Sequence, residues 1–248
     1  MFGFVRKLGR RPAAPPRTVA YRPRDCHAHV LWGLDDGART RDEALAMLGL
    51  LRDDGARVVA ATSHIHADRF PNTPERLRRA FDDLCRARDA ARIDLELWLG
   101  AEYFLDEVFV DAARSGELLA FGPDRYVLFE APTGPTVPVL LDEAVLALSR
   151  RPVTPLLAHV ERYRWARTDE GWEVLEDLRA AGVRFQVNRT VGRVNVPGVG
   201  GRGRMIERLL DRGWIDEVGS DLHRPTADGR PDPHPVPAPA TLPAPGAP

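Results

Sequence analysis

Asp25-Cys26-His27-Ala28-His29 ends a strand-like run that starts near residue 22. Read as a strand, its side chains alternate with a period of two, so His27 and His29 point to one face. The pair opens a series of nine metal-type side chains. Asp36 follows in Leu34-Asp35-Asp36-Gly37, His64 in Ala61-Thr62-Ser63-His64, Glu102 in Gly100-Ala101-Glu102-Tyr103 and Glu130 in Val127-Leu128-Phe129-Glu130. His159 comes in Leu157-Ala158-His159-Val160, and Asp221 and His223 close the series in Gly219-Ser220-Asp221-Leu222-His223. Most of them end a short apolar run, where parallel barrel strands would deliver them to one rim. Imidazoles and carboxylates together suit a cluster of two or three divalent cations (Zn, Mn or Fe) and therefore hydrolytic chemistry. Glu102 and Glu130, each ending an apolar run, are costly to bury unless paired or on a metal. Of the adjacent Asp35 and Asp36, one is expected to be a ligand, assigned to Asp36, and the other a turn or cap residue. His66 and His234 are not expected to bind metal.

The intervening pattern sets the fold class. Strand-like runs lie near 22–28, 57–62, 94–100, 125–130, 153–158, 183–188 and 214–219, and helical patterns near 40–54, 74–91, 104–115, 137–150, 168–181 and 202–212. Ala44, Leu45, Met47, Leu48 and Leu51 form a helical stripe that Gly55 stops. Thr73-Pro74-Glu75 is a helix start, a capping threonine followed by proline in the first turn. Arg57-Val58-Val59-Ala60-Ala61-Thr62 is nearly continuously apolar, as in a strand covered on both faces. Seven strands alternating with six helices imply parallel pairing and right-handed crossovers. The expected fold is α/β, a closed or nearly closed (β/α) barrel with its site at the C-terminal rim.

At 248 residues, 44% hydrophobic and 29% charged, the chain can bury a full core. The expected organisation is an N-terminal arm over 1–21, one domain over 22–230 and a proline-rich tail over 231–248 that favours an extended conformation. A net charge of −1 gives no field for nucleic acid or an anionic membrane. No run approaches the roughly 20 apolar residues of a membrane span, and Met1 to Arg11 lacks the apolar stretch of a signal peptide. Cys26 and Cys85 form no disulfide framework, so a cytoplasmic location is expected. Neither cysteine is followed six positions later by arginine (Trp32 and Ala91 stand there), which excludes a cysteine-nucleophile phosphatase signature. The only lysine, Lys7, precedes the His-x-His pair, so no downstream lysine can bridge metals or form a Schiff base. The glycines at 192 and 198–203 lack a lysine-serine/threonine ending and are read as a loop.

The ordered set Asp25-x-His27-x-His29, Asp35-Asp36-Gly37, Ala61-Thr62-Ser63-His64, Gly100-x-Glu102-Tyr103, Leu128-Phe129-Glu130, Ala158-His159-x-Glu161-Arg162-Tyr163 and Ser220-Asp221-x-His223 resembles the polymerase-and-histidinol-phosphatase (PHP) superfamily. Within it, the set resembles the CpsB/YwqE-type bacterial tyrosine-protein phosphatases of capsule and exopolysaccharide synthesis, over about residues 22 to 224. The resemblance implies a distorted (β/α)7 barrel with a trinuclear centre, usually manganese. Its ligands would be His27, His29, Asp36, His64, Glu102, Glu130, His159, Asp221 and His223, with Glu102 as a bridge. It also implies a partner, the phosphotyrosine tail of an autophosphorylating bacterial tyrosine kinase. The chain departs from the pattern in having Val160 where proline is usual and a proline tail where a further helix is usual, which leaves family-like oligomer contacts open.

Hydroxide generated on the metals would attack the phosphotyrosine phosphorus in line. Arg162 is placed to grip the phosphate as a two-pronged donor, with Arg224 as a second candidate; the alternative role for Arg162 is an ion pair with Glu161 or a neighbouring acid. Trp32 and Tyr103 are candidates to line the mouth, or else core residues. A small-molecule phosphatase of histidinol-phosphatase type remains the alternative function. A non-catalytic or nuclease-like PHP module is disfavoured by the absence of a basic surplus.

Overall fold

Helix starts in the computed structural model fall where capping chemistry predicts. Thr40 opens α1 (Arg41–Asp53) by accepting from Glu43 N at 3.2 Å, and Thr73 opens α2 (Pro74–Ala90) by accepting from Arg76 N at 3.3 Å. Asp106 caps α3 (Glu107–Ser115), which ends at Gly116 in the left-handed conformation that favours glycine. α4 (Leu141–Ser149), α5 (Asp169–Ala180) and α6 (Gly201–Asp211) complete the set. The structure describes residues 23–188 and 201–225. The expected N-terminal arm, Gly192, Gly198 and Gly200, His234 and the proline tail lie outside the described residues, whereas Gly201 and Gly203, expected in a loop, belong to α6.

Among the described residues, nine strands are interleaved with these helices: β1 (Arg24–Ala28), β2 (Val58–Ala61), β3 (His64–Ile65), β4 (Glu96–Leu99), β5 (Glu102–Phe104), β6 (Tyr126–Glu130), β7 (Thr154–Leu157), β8 (Arg184–Asn188) and β9 (Glu217–Gly219). Every pair between them is parallel, in the orders β1-β2-β4 and β3-β5-β6-β7-β8-β9. The two sheets are continuous through the chain: β2 leads into β3 across Thr62-Ser63, and β4 into β5 across Gly100-Ala101. Gly100 N bonds Ala61 O at 2.9 Å and Glu102 N bonds Thr62 O at 3.1 Å across these joints. Beyond β9, Asp221 N donates to His27 O at 2.7 Å and His29 N to Leu222 O at 2.9 Å, so the sheet curls back onto its first strand. The result is a mixed α/β domain built on a curled parallel sheet.

The short strands β3 and β5 are additions to the expected pattern. The ladder with β1 stops at Thr62 because the next-but-one amide, His64 N, goes to the Asp35 carboxylate at 2.9 Å. Glu102–Phe104 pairs with β6, which shortens the expected helix 104–115 to 107–115. Pro132, Pro135 and Pro138 delay α4 from the expected 137 to Leu141.

β1 carries a bulge that matters for the site. Between Asp25↔Val59 and Ala28↔Ala61 it has one residue more than β2. Cys26 accordingly packs in a small apolar cluster inside the curl, with Ala60, Leu128 and Leu156, while its neighbour His27 also turns inward. Asp25 Oδ1 secures the bulge by accepting from His27 N (3.1 Å) and Ser220 N (2.9 Å). The larger apolar core lies between the sheet's outer face and the helices.

At the opposite end of the curl, Arg24 of β1 pairs with Glu217 of β9, and Tyr126 OH donates to Glu217 Oε1 at 3.1 Å. Both charged side chains are almost entirely buried. Removing Arg24 leaves the buried Glu217 carboxylate without that counter-charge, at a cost of about 3–5 kcal/mol. Arg24→Met should therefore lower the urea unfolding free energy by that order, and Arg24→Met with Glu217→Leu should recover much of it. Metal binding at the far rim should persist in the folded variants.

Candidate metal centre

All nine expected ligands converge at the C-terminal rim. One ligand atom each from His27, His29, Glu102 and Asp221 lies within 4.8 Å of the others; the same holds for His64, Glu102 and Glu130, and for His29, Asp36, His64 and His223. His159 joins through Nε2, 2.9 Å from Glu102 Oε1 and 3.7 Å from Glu130 Oε2. Glu102 is common to two of the sets. His64 and Glu102 begin short strands rather than ending long ones, and their Cα positions are paired in register. His159 and Asp221 adopt positive φ, +30° and +53°, a strained region for residues with side chains. Gly37 is required against His29: a Cβ there would lie 2.3 Å from His29 O.

Of the adjacent aspartates, Asp36 faces the cluster, with Oδ1 3.5 Å from His64 Nε2 and 3.3 Å from His223 Nε2. Asp35 orients instead. It lies 2.9 Å from His29 Nδ1 and also accepts from Gly37 N at 3.0 Å. Its hold on His29 leaves Nε2 of that ring to the cluster, a second-layer carboxylate typical of metal-ligating histidines.

The donor set fits divalent cations. Glu102 Oε2 stands 3.0 Å from His27 Nε2, 3.3 Å from His29 Nε2 and 3.2 Å from His64 Nδ1, yet has no hydrogen bond of acceptable geometry. Ligand atoms about 2.1 Å from a common cation and at right angles lie about 3 Å apart. His27 Nε2 and His29 Nε2 are themselves only 3.1 Å apart, and Asp36 Oδ1 is buried without a hydrogen bond.

Without metal, the cluster balances its own charge. Burial opposes the charged forms, but Glu102 and Asp221 raise the pKa of His27, and Asp35 with its neighbours raises that of His29 well above the usual value. Against the same burial penalty, His27 and His64 hold Glu102, and His27 holds Asp221, well below the carboxylate range. Burial, with the charges of Glu102 and Asp221, pushes Glu130 up to about 9. Burial also takes His64 down to about 4.

The arginines are close by. Arg162 Nη2 lies 2.8 Å from Asp221 Oδ2 rather than on Glu161, whose carboxylate accepts from Asn188 N at 3.3 Å. Arg224 Nη2 donates to Asp36 O at 3.3 Å. Tyr103 does not line the mouth: it is 2% exposed, stacks on Phe109 and accepts from Leu119 N at 2.8 Å. Trp32 packs partly buried against the core. His66 caps its own loop, accepting from Asp68 N at 3.2 Å. Cys26 is buried and donates to Val218 O, and burial first, then Glu217 and Asp25, push its thiol well up, away from nucleophilic form. Sequence reasoning missed Asp25 and Asp35 as orienting groups and the β8 amides Gln186 and Asn188, which touch His27 and Asp221. The signal for the last two was present, as polar residues two apart in an otherwise apolar run.

Comparison with known proteins agrees with this geometry. Residues 24–233 match the family described as capsular polysaccharide synthesis, CpsB/CapC. The tyrosine-protein phosphatase YwqE of Bacillus subtilis is 30% identical over 204 residues, covering 80% of this chain and 76% of the relative. CapC of Staphylococcus aureus is 25% identical over 138 residues, which span 56% of this chain and about half (54%) of the relative. Crystal structures of YwqE from Bacillus subtilis and CpsB from Streptococcus pneumoniae, described as unique metal-dependent tyrosine phosphatases, include a chain that superposes with a TM-score of 0.71 at 25% identity, covering 84% of this chain and 81% of that one.

Raised imidazole pKa values make metal and protons competitors. In the metal-free chain, His27 and His29 stabilise the fold fully below about pH 6.5, and this is lost as pH rises through their raised values. Cation binding near pH 7 should therefore release protons. Calorimetric titration in two buffers of different ionisation enthalpy should give different heats; equal heats would show that these rings carry no proton.

Proposed function

The chain belongs to the CpsB/CapC family of capsular polysaccharide synthesis, and from that premise we propose that it is a metal-dependent protein-tyrosine phosphatase. The observation that carries this reading is the set of three donor groups at one rim, two of them sharing Glu102, with an arginine beside them and no accessible thiol within the site. His27, His29, Glu102 and Asp221 would hold one ion, and the groups around His64 and Glu130 and around Asp36 and His223 would hold the others. His159 completes the set through Glu102. Manganese is the proposed ion, with zinc and iron as substitutes. Counting β2 with β3 and β4 with β5 as single staves gives the seven of a PHP-type barrel over residues 22–230. Bound divalent cations supply an activated hydroxide and neutralise phosphoryl charge.

The protein's own side chains do the rest. Arg162 has donors beyond the one on Asp221 and presents them to a phosphoryl oxygen. Arg224, tied to Asp36 O, adds positive charge on the other side. The tyrosine leaving group, with a pKa of about 10, needs less protonation than a serine alkoxide. The proposed substrate is a phosphotyrosine tail of a bacterial tyrosine kinase met in the cytoplasm, whose extended shape feeds residues to the rim one at a time. None of the described helices is long and apolar enough to cross a membrane. A small phosphoester such as histidinol phosphate would use the same centre and differ in the surrounding loops.

Chelator stripping should abolish turnover of a phosphotyrosine peptide and manganese should restore it, with phosphoserine peptide and histidinol phosphate turned over far more slowly. Full activity after confirmed metal removal would reject the mechanism, and preference for histidinol phosphate would reject the protein substrate. Arg162→Ala should lower turnover by about 10²-fold or more. Arg162→Lys should recover little, because lysine lacks the planar fork. Cys26→Ser and Cys85→Ser should retain near wild-type rates.

A further inference from the structure

β8 supplies none of the nine candidate ligands, yet its inward face is polar. Gln186 is fully buried and Asn188 nearly so. They stand two residues apart and therefore share a face. Burying two amides is costly unless they are bonded, and these form one chain. Gln186 Oε1 accepts from His159 N at 2.8 Å and lies 3.2 Å from His27 Nδ1. Gln186 Nε2 donates to Asn188 Oδ1 at 2.8 Å, and Asn188 Nδ2 donates to Asp221 Oδ2 at 2.8 Å.

Both ends fix the direction of this chain. The backbone amide of His159 can only donate, and an ionised Asp221 carboxylate can only accept. Neither amide can then flip without opposing like dipoles. His27 Nδ1 consequently meets an oxygen and keeps its proton, which leaves Nε2, 3.0 Å from Glu102 Oε2 and 3.4 Å from Asp221 Oδ1, as the nitrogen that gives up its proton to a cation. The same oxygen ties down the strained backbone of His159. Gly219 leaves room for the arrangement, since a Cβ there would lie 2.4 Å from His27 Cβ and 3.0 Å from Gln186 Nε2.

We propose that Gln186 and Asn188 are positioning residues that act as one relay, setting the tautomer of His27, the backbone of His159 and the orientation of Asp221, and so the affinity of the centre for its ion. This rests on the reading of the cluster as a metal centre. Through the relay, ligands from β1 and from the segments after β7 and β9 are registered to a single strand between the last two.

The test is a double-mutant cycle on the full chain with Gln186→Met, Asn188→Leu and their combination. Manganese affinity is read by the resonance of free Mn2+, and the unfolding midpoint is read in excess chelator. Each single change should weaken binding by about 10- to 100-fold. The double change should weaken it no more than the worse single one, because a broken relay cannot be broken twice. In the zinc-loaded protein the His27 Nδ1–H resonance should exchange slowly with water, and faster in Gln186→Met. The shorter polar changes Gln186→Asn and Asn188→Ser cannot span the same gaps and serve for the cycle if the apolar ones unfold. Wild-type affinity in the singles, or a double loss equal to the product of the single losses, would overturn the relay. A wild-type chain that binds manganese but leaves phosphotyrosine intact overturns the proposed activity alone; one that binds no divalent ion overturns both.

Discussion

Glu102 has no exposed surface and faces four imidazoles, His27, His29, His64 and His159, at 2.9 to 3.3 Å. Those rings come from β1 and the residue after it, from β3 and from the segment after β7, so the carboxylate is neutralised only when the sheet is curled. The local irregularities serve this convergence. The bulge at Cys26–His27 turns His27 inward next to a residue that also points inward. The positive φ values of His159 and Asp221 aim groups that a regular strand end would send elsewhere. Gly37 and Gly219 let backbone approach His29 and His27 more closely than any side chain permits. A site of this charge density is costly to assemble empty, and cations or protons must share its occupancy.

Much of this was legible in the sequence because it rests on period-two patterning. His27-x-His29 and Asp221-x-His223 announce a shared face, and apolar runs placed six of the seven expected strands within about two residues at each end. β9 was the exception: its run was read from 214, but Trp214 and Ile215 pack against the core and pairing starts only at Glu217. What was hidden depends on through-space pairing. Nothing local distinguishes Asp35 from Asp36; the difference is that Asp35 is reached by His29 Nδ1 and His64 N, which arrive from other parts of the chain. Tyr103, beside Glu102, is carried outward to the core by the same alternation that turns Glu102 inward. Arg162 was read as a phosphate donor, and its contact with Asp221, distant in sequence, is visible only in three dimensions.

In the proposed function, the position of Arg162 would join substrate binding to the centre itself. Its guanidinium neutralises Asp221 and stands at the rim, so phosphate arriving there meets a donor already oriented by a ligand. Selectivity for the proposed aromatic ester would then fall to the loops. The segment after β3 folds back through paired backbone bonds between His66 and Phe70, and Phe70 stacks on His64 with the rings 5.2 Å apart. That ring walls one side of the cluster, and Arg69 lies over it at 5.4 Å.

The central claim is that the nine rim side chains form one polynuclear metal centre. Anomalous diffraction above and below the manganese absorption edge, from crystals grown with that ion, tests it most directly. The account predicts peaks inside the donor sets, two of them sharing Glu102 as a common ligand. Manganese peaks absent from the rim, or placed away from Glu102, would contradict it.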